Sequence, residues 1–289
     1  MSEHDRSTAS TPARHQEVAV STSRQLAWKW LRQGKVHMPL LFLSNFGRHL
    51  ITRKYDAFTT DLAYENRAKG SLIAGKLLDR YVLNQSLHEG LRQRLVLVAD
   101  ELVAGIRERA VAGSGPVLVV SGPSGLTRDL ITAHGRLQSE FTPPEVEWVA
   151  VDLDHSGEVL DEARRRCAVA GIDLATHKVD LLAPDALGQA LGGRKADLFN
   201  SIGLTAWLGM EDVNRLFTSI SAALAPGGTF IVDNFHEHSE SKYGDAFEMA
   251  TRYHPDGEFE TALRASGFEP VGKRVTANKV NVVYRARKA

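Results

Sequence analysis

The chain has 289 residues, with 35 Lys plus Arg against 35 Asp plus Glu and hydrophobic and charged fractions of 43% and 24%, proportions that exclude a disordered or bilayer-dissolved chain. The balanced charge leaves no broad positive field for a phosphate backbone, which excludes nucleic acid as the expected partner. A single cysteine, Cys167, excludes an internal disulfide and a cysteine-built zinc site, and it points to a reducing, cytoplasmic compartment.

Residues 1–22 are rich in Ser, Thr, Ala, Glu and Arg and lack the apolar core of a secretory signal; they are expected to form a disordered tail. Residues 24–33 interleave Leu26, Trp28, Trp30 and Leu31 with Lys and Arg, which predicts a short amphipathic helix ending at Gly34. A second apolar segment at 39–51 begins with a proline tolerated in a first helical turn, and the polar, aromatic stretch YDAFTTDLAY follows at 55–64. Helical periodicity returns at 71–82 and at 87–111, where Leu91, Leu95, Val98, Leu102 and Ile106 recur on one face. The breaker run AGSGP at 112–116 ends that helix. Residues 23–113 are thus expected to form a helical cap or lid, with a domain boundary before the second region, 116–289.

From 117 onward apolar strand-like runs alternate with helix-like segments. Strands are predicted at 117–121, 147–152, 173–179, 197–202 and 229–234, with a terminal pair at 269–275 and 280–285; helices are predicted at 157–170, 185–191, 210–224 and 258–266. This alternation predicts an α/β fold with a mostly parallel sheet wound by right-handed crossovers. The short turn at 276–279 predicts an antiparallel hairpin at one edge. The run Arg164, Arg165 and Arg166 falls on a predicted helix and reads as a solvated face. No run of ~20 apolar residues is present to span a bilayer, so no membrane partner is expected.

Three strand ends carry chemistry. The run VLVVSGPSG at 117–125 is a buried strand entering a small-residue turn, where Gly122, Ser124 and Gly125 let a ligand approach the backbone. About 30 residues later VAVDLD ends in Asp152 and Asp154; Asp152 can accept from both hydroxyls of a ribose, and Asp154 more readily caps the following helix. Asp180 ends the next strand, where a carboxylate can accept from an exocyclic amine while the amide of Leu181 faces a ring nitrogen. Ligands of open α/β sheets sit outside the carboxyl ends of the strands, where these groups converge.

The order of these pieces, followed by ADLFNSIGL at 196–204 and LAPGGTFIV at 224–232, resembles class I S-adenosylmethionine (SAM)-dependent methyltransferases over 116–289. The SIGL and DNF segments at 201–204 and 233–235, with LDRYVLNQ at 78–85, resemble a bacterial small-molecule subgroup. The resemblance implies a Rossmann-like fold with a seven-stranded sheet, SAM as cofactor, and cofactor contacts from Ser121, Gly122, Ser124, Asp152, Leu153, Asp180, Leu181, Asn200, Ser201 and Arg80. One position departs from the pattern: the acidic residue common on the first strand is absent, with Leu118 and Val119 in its slots. Turn carbonyls, Asn200, Asp61 or Arg80 are the candidate replacements.

Methyl transfer is an in-line displacement that needs an aligned acceptor and sometimes a base, and no triad. His236 is the candidate base because a neutral imidazole accepts a proton near pH 7; Asn234 and Tyr64 complete the candidate catalytic set. HEHSE at 236–240 also reads as a solvated polar loop, and no metal site is expected, since no third ligand is set by spacing. Tyr55, Phe58, Tyr64 and Tyr81 would supply either an aromatic pocket wall or ordinary core packing. The expected activity is methyl transfer to a small molecule at N, O or C, and a homodimer is compatible with it. A distant resemblance to azetidine-2-carboxylate and nicotianamine synthases keeps use of the aminocarboxypropyl arm as an alternative, and a non-catalytic SAM-binding protein is the third reading.

Overall fold

The computed structural model describes residues 23–35, 38–113 and 115–289; the tail expected at 1–22 lies outside them. The chain divides into two compact units, 1–39 and 40–289. The first contains helix α1 (Ser23–Arg32), one residue offset from the predicted helix.

The apolar segment expected as one helix over 39–51 is broken. A 3-10 segment, Met38–Leu43, precedes α2 (Asn45–Arg53), because the Ser44 hydroxyl caps α2 by accepting from the Gly47 amide at 2.8 Å. The aromatic stretch forms α3 (Ala57–Glu65), started by Asp56 accepting from the Thr59 amide. Then come α4 (Leu72–Leu83) and α5 (Ser86–Ala112), close to their predicted bounds.

The sheet contains β1 (Val117–Ser121), β2 (Val146–Asp152), β3 (Leu174–Lys178), β4 (Ala196–Ser201), β5 (Leu224–Phe235), β6 (Phe268–Val275) and β7 (Asn281–Lys288). Their order is β3-β2-β1-β4-β5-β7-β6, parallel except for β7, which runs antiparallel to both β5 and β6. The predicted edge hairpin is therefore present. The crossovers are α6 (Arg128–Leu137), α7 (Glu158–Val169), α8 (Ala186–Ala190), α9 (Met210–Ala223) and α10 (Asp256–Ala265). Of these, α6 carries no predicted element; its buried face holds Leu130, Ala133 and Leu137.

Alternation along each strand sends successive side chains to opposite layers. Leu118, Val120, Phe199, Phe230 and Val232 pack with α9 and α10, while Val117, Val119, Leu198 and Ile231 pack with α5, α6 and α7. This corrects the domain boundary expected near 113. Val98, Leu102, Val103 and Ile106 of α5 belong to the same core as β1 and β4, so the long helix is part of the sheet domain rather than of a detachable lid. Its two interior glycines are the reason it fits. A β-carbon at Gly105 would stand 2.6 Å from the tip of the Leu198 side chain, and one at Gly90 would stand 2.8 Å from Asn281 Oδ1 and 2.9 Å from the Val280 β-carbon, which no rotamer moves aside.

The N-terminus of α5 is capped from a distance: the Glu240 carboxylate accepts from the amides of Ser86 and Leu87 and from the Ser86 hydroxyl. One turn on, His88 is buried. Its Nδ1 faces the Val82 carbonyl at 2.6 Å, so that nitrogen donates, and Nε2 accepts from the Tyr55 hydroxyl at 2.7 Å. Burial holds the His88 pKa down at about 4. The unfolded chain therefore binds a proton near pH 6.5 that the folded chain refuses, and stability falls as pH drops from there toward 4. Urea unfolding at pH 7 and pH 5 is expected to show a loss of about 2 kcal/mol from this residue, and His88→Gln is expected to flatten that difference.

Candidate active site

The sheet order reverses direction between β1 and β4, so the crevice at their carboxyl ends is the switch point at which an open α/β sheet takes its ligand. Gly122 donates to the Asn200 carbonyl at 2.8 Å and Ser124 to the Val151 carbonyl at 3.0 Å, which stitches the glycine turn to β4 and β2. At Gly122 a β-carbon would stand 2.3 Å from the Val151 side chain. The turn is therefore drawn down onto the strand ends.

Asp152 stands where the sequence places it. Its carboxylate accepts from the amides of Gly125 and Asp154, both at 3.1 Å; burial nevertheless raises its pKa above the ordinary carboxylate value. Asp154 takes the capping role, accepting from the Gly157 and Leu160 amides at the start of α7. Leu153 is exposed beside Asp152. At the end of β3, Asp180 accepts from the Leu182 amide at 2.9 Å, while the Leu181 side chain is buried beneath the turn, so only the backbone of Leu181 is available to a ligand. Ser121, Ser124, Asn200 and Ser201 are all buried at the strand ends.

An acid does stand on the far side of the glycine turn, eight residues after β1 ends. Asp129, in the first turn of α6, is half-buried and accepts a hydrogen bond from Asn200 Nδ2, which also reaches the Ser121 hydroxyl at 3.3 Å. Desolvation raises the Asp129 pKa, with amide bonds and Asn200 working against it. Asn200 Oδ1 is buried without a hydrogen-bond partner among the described residues. The signal in sequence was an acid four residues beyond Gly125, on the helix side of the turn rather than the strand side.

A second group missed in sequence is the buried ion pair of Arg94 with Asp233 at 2.6 Å, both almost wholly enclosed. The other oxygen of Asp233 accepts from the Gly203 amide at 2.7 Å, and the other arm of Arg94 donates to the Tyr64 hydroxyl at 2.7 Å. Phe235 lies under the guanidinium. Burial opposes the charge on Arg94, but Tyr64 and Asp233 more than offset it and raise its pKa. Desolvation likewise raises the Tyr64 pKa, with Arg94 opposing, so the hydroxyl keeps its proton. Arg94 occupies the apolar stripe that runs through Leu91 and Val98, and a charge in such a slot was the available clue.

Other sequence expectations are corrected. Both ends of the Asn234 amide are engaged, Nδ2 with the His254 carbonyl and Oδ1 with the Phe235 amide, in a side chain with no exposed surface. His236 has Nε2 against Asp256 at 2.9 Å and Nδ1 against the Lys279 carbonyl at 3.2 Å. Both ring nitrogens thus face acceptors within the fold, which does not favour the role of general base. Asp61 is spent on ion pairs with Arg128 and, at 2.9 Å, Arg166, which tie α3 to the helices on either side of the glycine turn. Arg80 is exposed and lines a basin with Asn66, Arg67, Ala68, Lys69, Leu83 and Asn84, none of them a strand-end residue. Tyr81 is exposed as well, neither pocket wall nor core.

Removing one member of the Arg94–Asp233 pair strands a buried charge. Arg94→Met is expected to lower unfolding free energy by about 3–5 kcal/mol, and the double variant Arg94→Met/Asp233→Asn by less; chemical denaturation of the three proteins measures both.

A family model described as "Putative methyltransferase" matches residues 2–170, more than half of the chain. YnbC of Escherichia coli (strain K12) is 24% identical over 267 residues, covering 86% of this chain and 43% of its own length, so the chain spans less than half of that relative. A possible exported protein from Bordetella parapertussis shares the fold with a TM-score of 0.74 at 18% identity, over 92% of this chain and 93% of the other. The magnesium protoporphyrin IX methyltransferase ChlM from Synechocystis PCC 6803, solved with bound SAM, superposes with a TM-score of 0.54 at 11% identity, over 83% and 96%. Among the described residues no helix is long and apolar enough to cross a membrane.

Proposed function

Since the chain belongs to this methyltransferase family, we propose that it transfers a methyl group from SAM to a small-molecule acceptor. The observation that carries the reading is the pair of half-buried carboxylates, Asp129 and Asp152, set on either side of the glycine turn at the β1–β4 switch point. Both have pKa values raised by desolvation, so hydrogen-bond donors and positive charge placed against them are favoured.

The residues present fit the cofactor. Asp152 suits the two ribose hydroxyls, and Asp180 with the Leu181 backbone suits adenine, with Leu153 beside the ring. Asp129 suits the ammonium group, and the unpartnered Asn200 Oδ1 adds an acceptor next to it. When bound, SAM supplies a methyl group made electrophilic by its sulfonium.

The rest of the chemistry falls to residues of this chain. The Tyr64 oxygen already accepts from Arg94, so its own proton points away from the guanidinium and is available to orient an acceptor. Arg94 and Asp233 hold that hydroxyl in place and fix the Gly203 backbone after β4. The displacement needs alignment more than acid–base strength, so the reading does not depend on His236 as a base. The ion pairs of Asp61 keep α3, and with it Tyr64, over the turn.

Titration calorimetry with SAM is expected to show binding, weakened about 10- to 100-fold by Asp129→Ala or Asp152→Ala, the loss of one charge-assisted contact. A pair of variants that bind as the parent does would sink the cofactor assignment. Turnover is expected to release S-adenosylhomocysteine; methylthioadenosine instead would identify aminocarboxypropyl transfer. Tyr64→Phe is expected to lower kcat/KM by about tenfold or more while leaving SAM affinity unchanged.

A further inference from the structure

Helix α4 is inside out. Its buried row is Gly75, Asp79 and Leu83, and the opposite row, Ile73, Leu77 and Tyr81, is 80%, 58% and 67% exposed, with Leu72 beside it at 80%. Residues spaced by four share a face, so the solvent side of α4 is a continuous apolar stripe. Its one acid is turned inward, where Asp79 accepts from the Ser44 hydroxyl at 2.5 Å, the Phe46 amide at 3.1 Å and the Lys69 amide at 2.7 Å. Burying the carboxylate and exposing the leucines reverses the normal partition, and a stripe of this kind marks a surface made to be covered.

The charges around the stripe identify its cover. Lys76 and Arg80 are exposed along one flank of α4, and Arg67 and Lys69 stand exposed on the loop before it. Lys69 pairs with Glu65; Arg67, Lys76 and Arg80 have no ion pair among the described residues. Arg67, Lys69 and Arg80 converge on a basin of about 560 Å³ that Asn66 and Asn84 also line, a size and chemistry suited to a phosphate-bearing headgroup. A second copy related by a twofold axis would bring this patch against itself, and like charges would meet. An anionic surface neutralises them while the apolar row leaves water.

We propose that α4 is an interfacial helix that seats the protein on a bilayer containing anionic phospholipid, with Leu72, Ile73, Leu77 and Tyr81 at the acyl boundary and Arg67, Lys76 and Arg80 on lipid phosphates. This stands independently of the methyl-transfer reading and replaces the expectation of no membrane partner.

The test is co-sedimentation of the full chain with vesicles of phosphatidylcholine alone and of phosphatidylcholine with phosphatidylglycerol. Binding is expected only to the second, weakened by salt. Lys76→Glu/Arg80→Glu is expected to weaken it about tenfold or more, and Leu77→Glu/Tyr81→Glu to abolish it. These positions are exposed, so both variants are expected to keep the parent's Tm and SAM affinity. Binding that ignores the anionic lipid, binding that survives both variants, or no binding at all overturns the proposal. So does a parental dimer, seen by light scattering, that Leu77→Glu dissolves without any vesicle binding, which would assign the face to a second copy.

Discussion

The arrangement of the candidate active site depends on the buried pair of Arg94 with Asp233. Two charges removed from water are tolerable only when each finds its counter-charge and its remaining hydrogen-bonding groups find partners. Asp233 meets that demand fully, with one oxygen on Arg94 and the other on the Gly203 amide. Arg94 extends the chain of contacts to Tyr64, although its Nε has no partner among the described residues. One interaction thus sets the positions of α5, the end of β5, the loop after β4 and α3.

That dependence explains why α5 cannot be an ornament on the catalytic fold. For Arg94 to reach Asp233 the helix must lie flat against the sheet, and Gly90 and Gly105 permit it where any side chain would collide. The packing of Val98, Leu102 and Ile106 against the β1 and β4 layer then follows from the same approach. The glycines weaken the helix as an isolated element and strengthen it as part of the domain.

At the glycine turn the same economy of contacts appears with the opposite sign of charge. Asp129 at the start of α6 accepts from Asn200 and Asp152 at the end of β2 accepts from backbone amides, in surroundings that raise the pKa of each. Their amide bonds orient them and leave the desolvation of the carboxylates only partly offset. The adenosyl ligand proposed above, with a positive amino acid end and two ribose hydroxyls, would supply donors to both. On that proposal the acid stands on α6 instead of β1, and the charge is supplied by a different piece of backbone.

Local sequence determined much of this protein. Apolar runs located all seven strands, although β5 begins five residues before its expected start, and 3.6-residue periodicity located the helices other than α3 and α6, because such patterns are properties of single segments. The glycine turn, Asp152, Asp180 and the capping role of Asp154 were legible for the same reason: each is written within a few residues of a strand end. Only the tertiary structure decided what depends on two distant segments meeting. Arg94 finds Asp233 across 139 positions and Asn200 finds Asp129 across 71; neither partner announces the other in sequence. His236 and Asn234 looked available because the chain does not reveal that Asp256 and the carbonyls of His254 and Lys279 fold back onto them. The same holds for α4, whose residues suit a helix of either orientation. Which face turns outward was decided by Ser44, the Phe46 amide and the Lys69 amide, which together draw Asp79 inside.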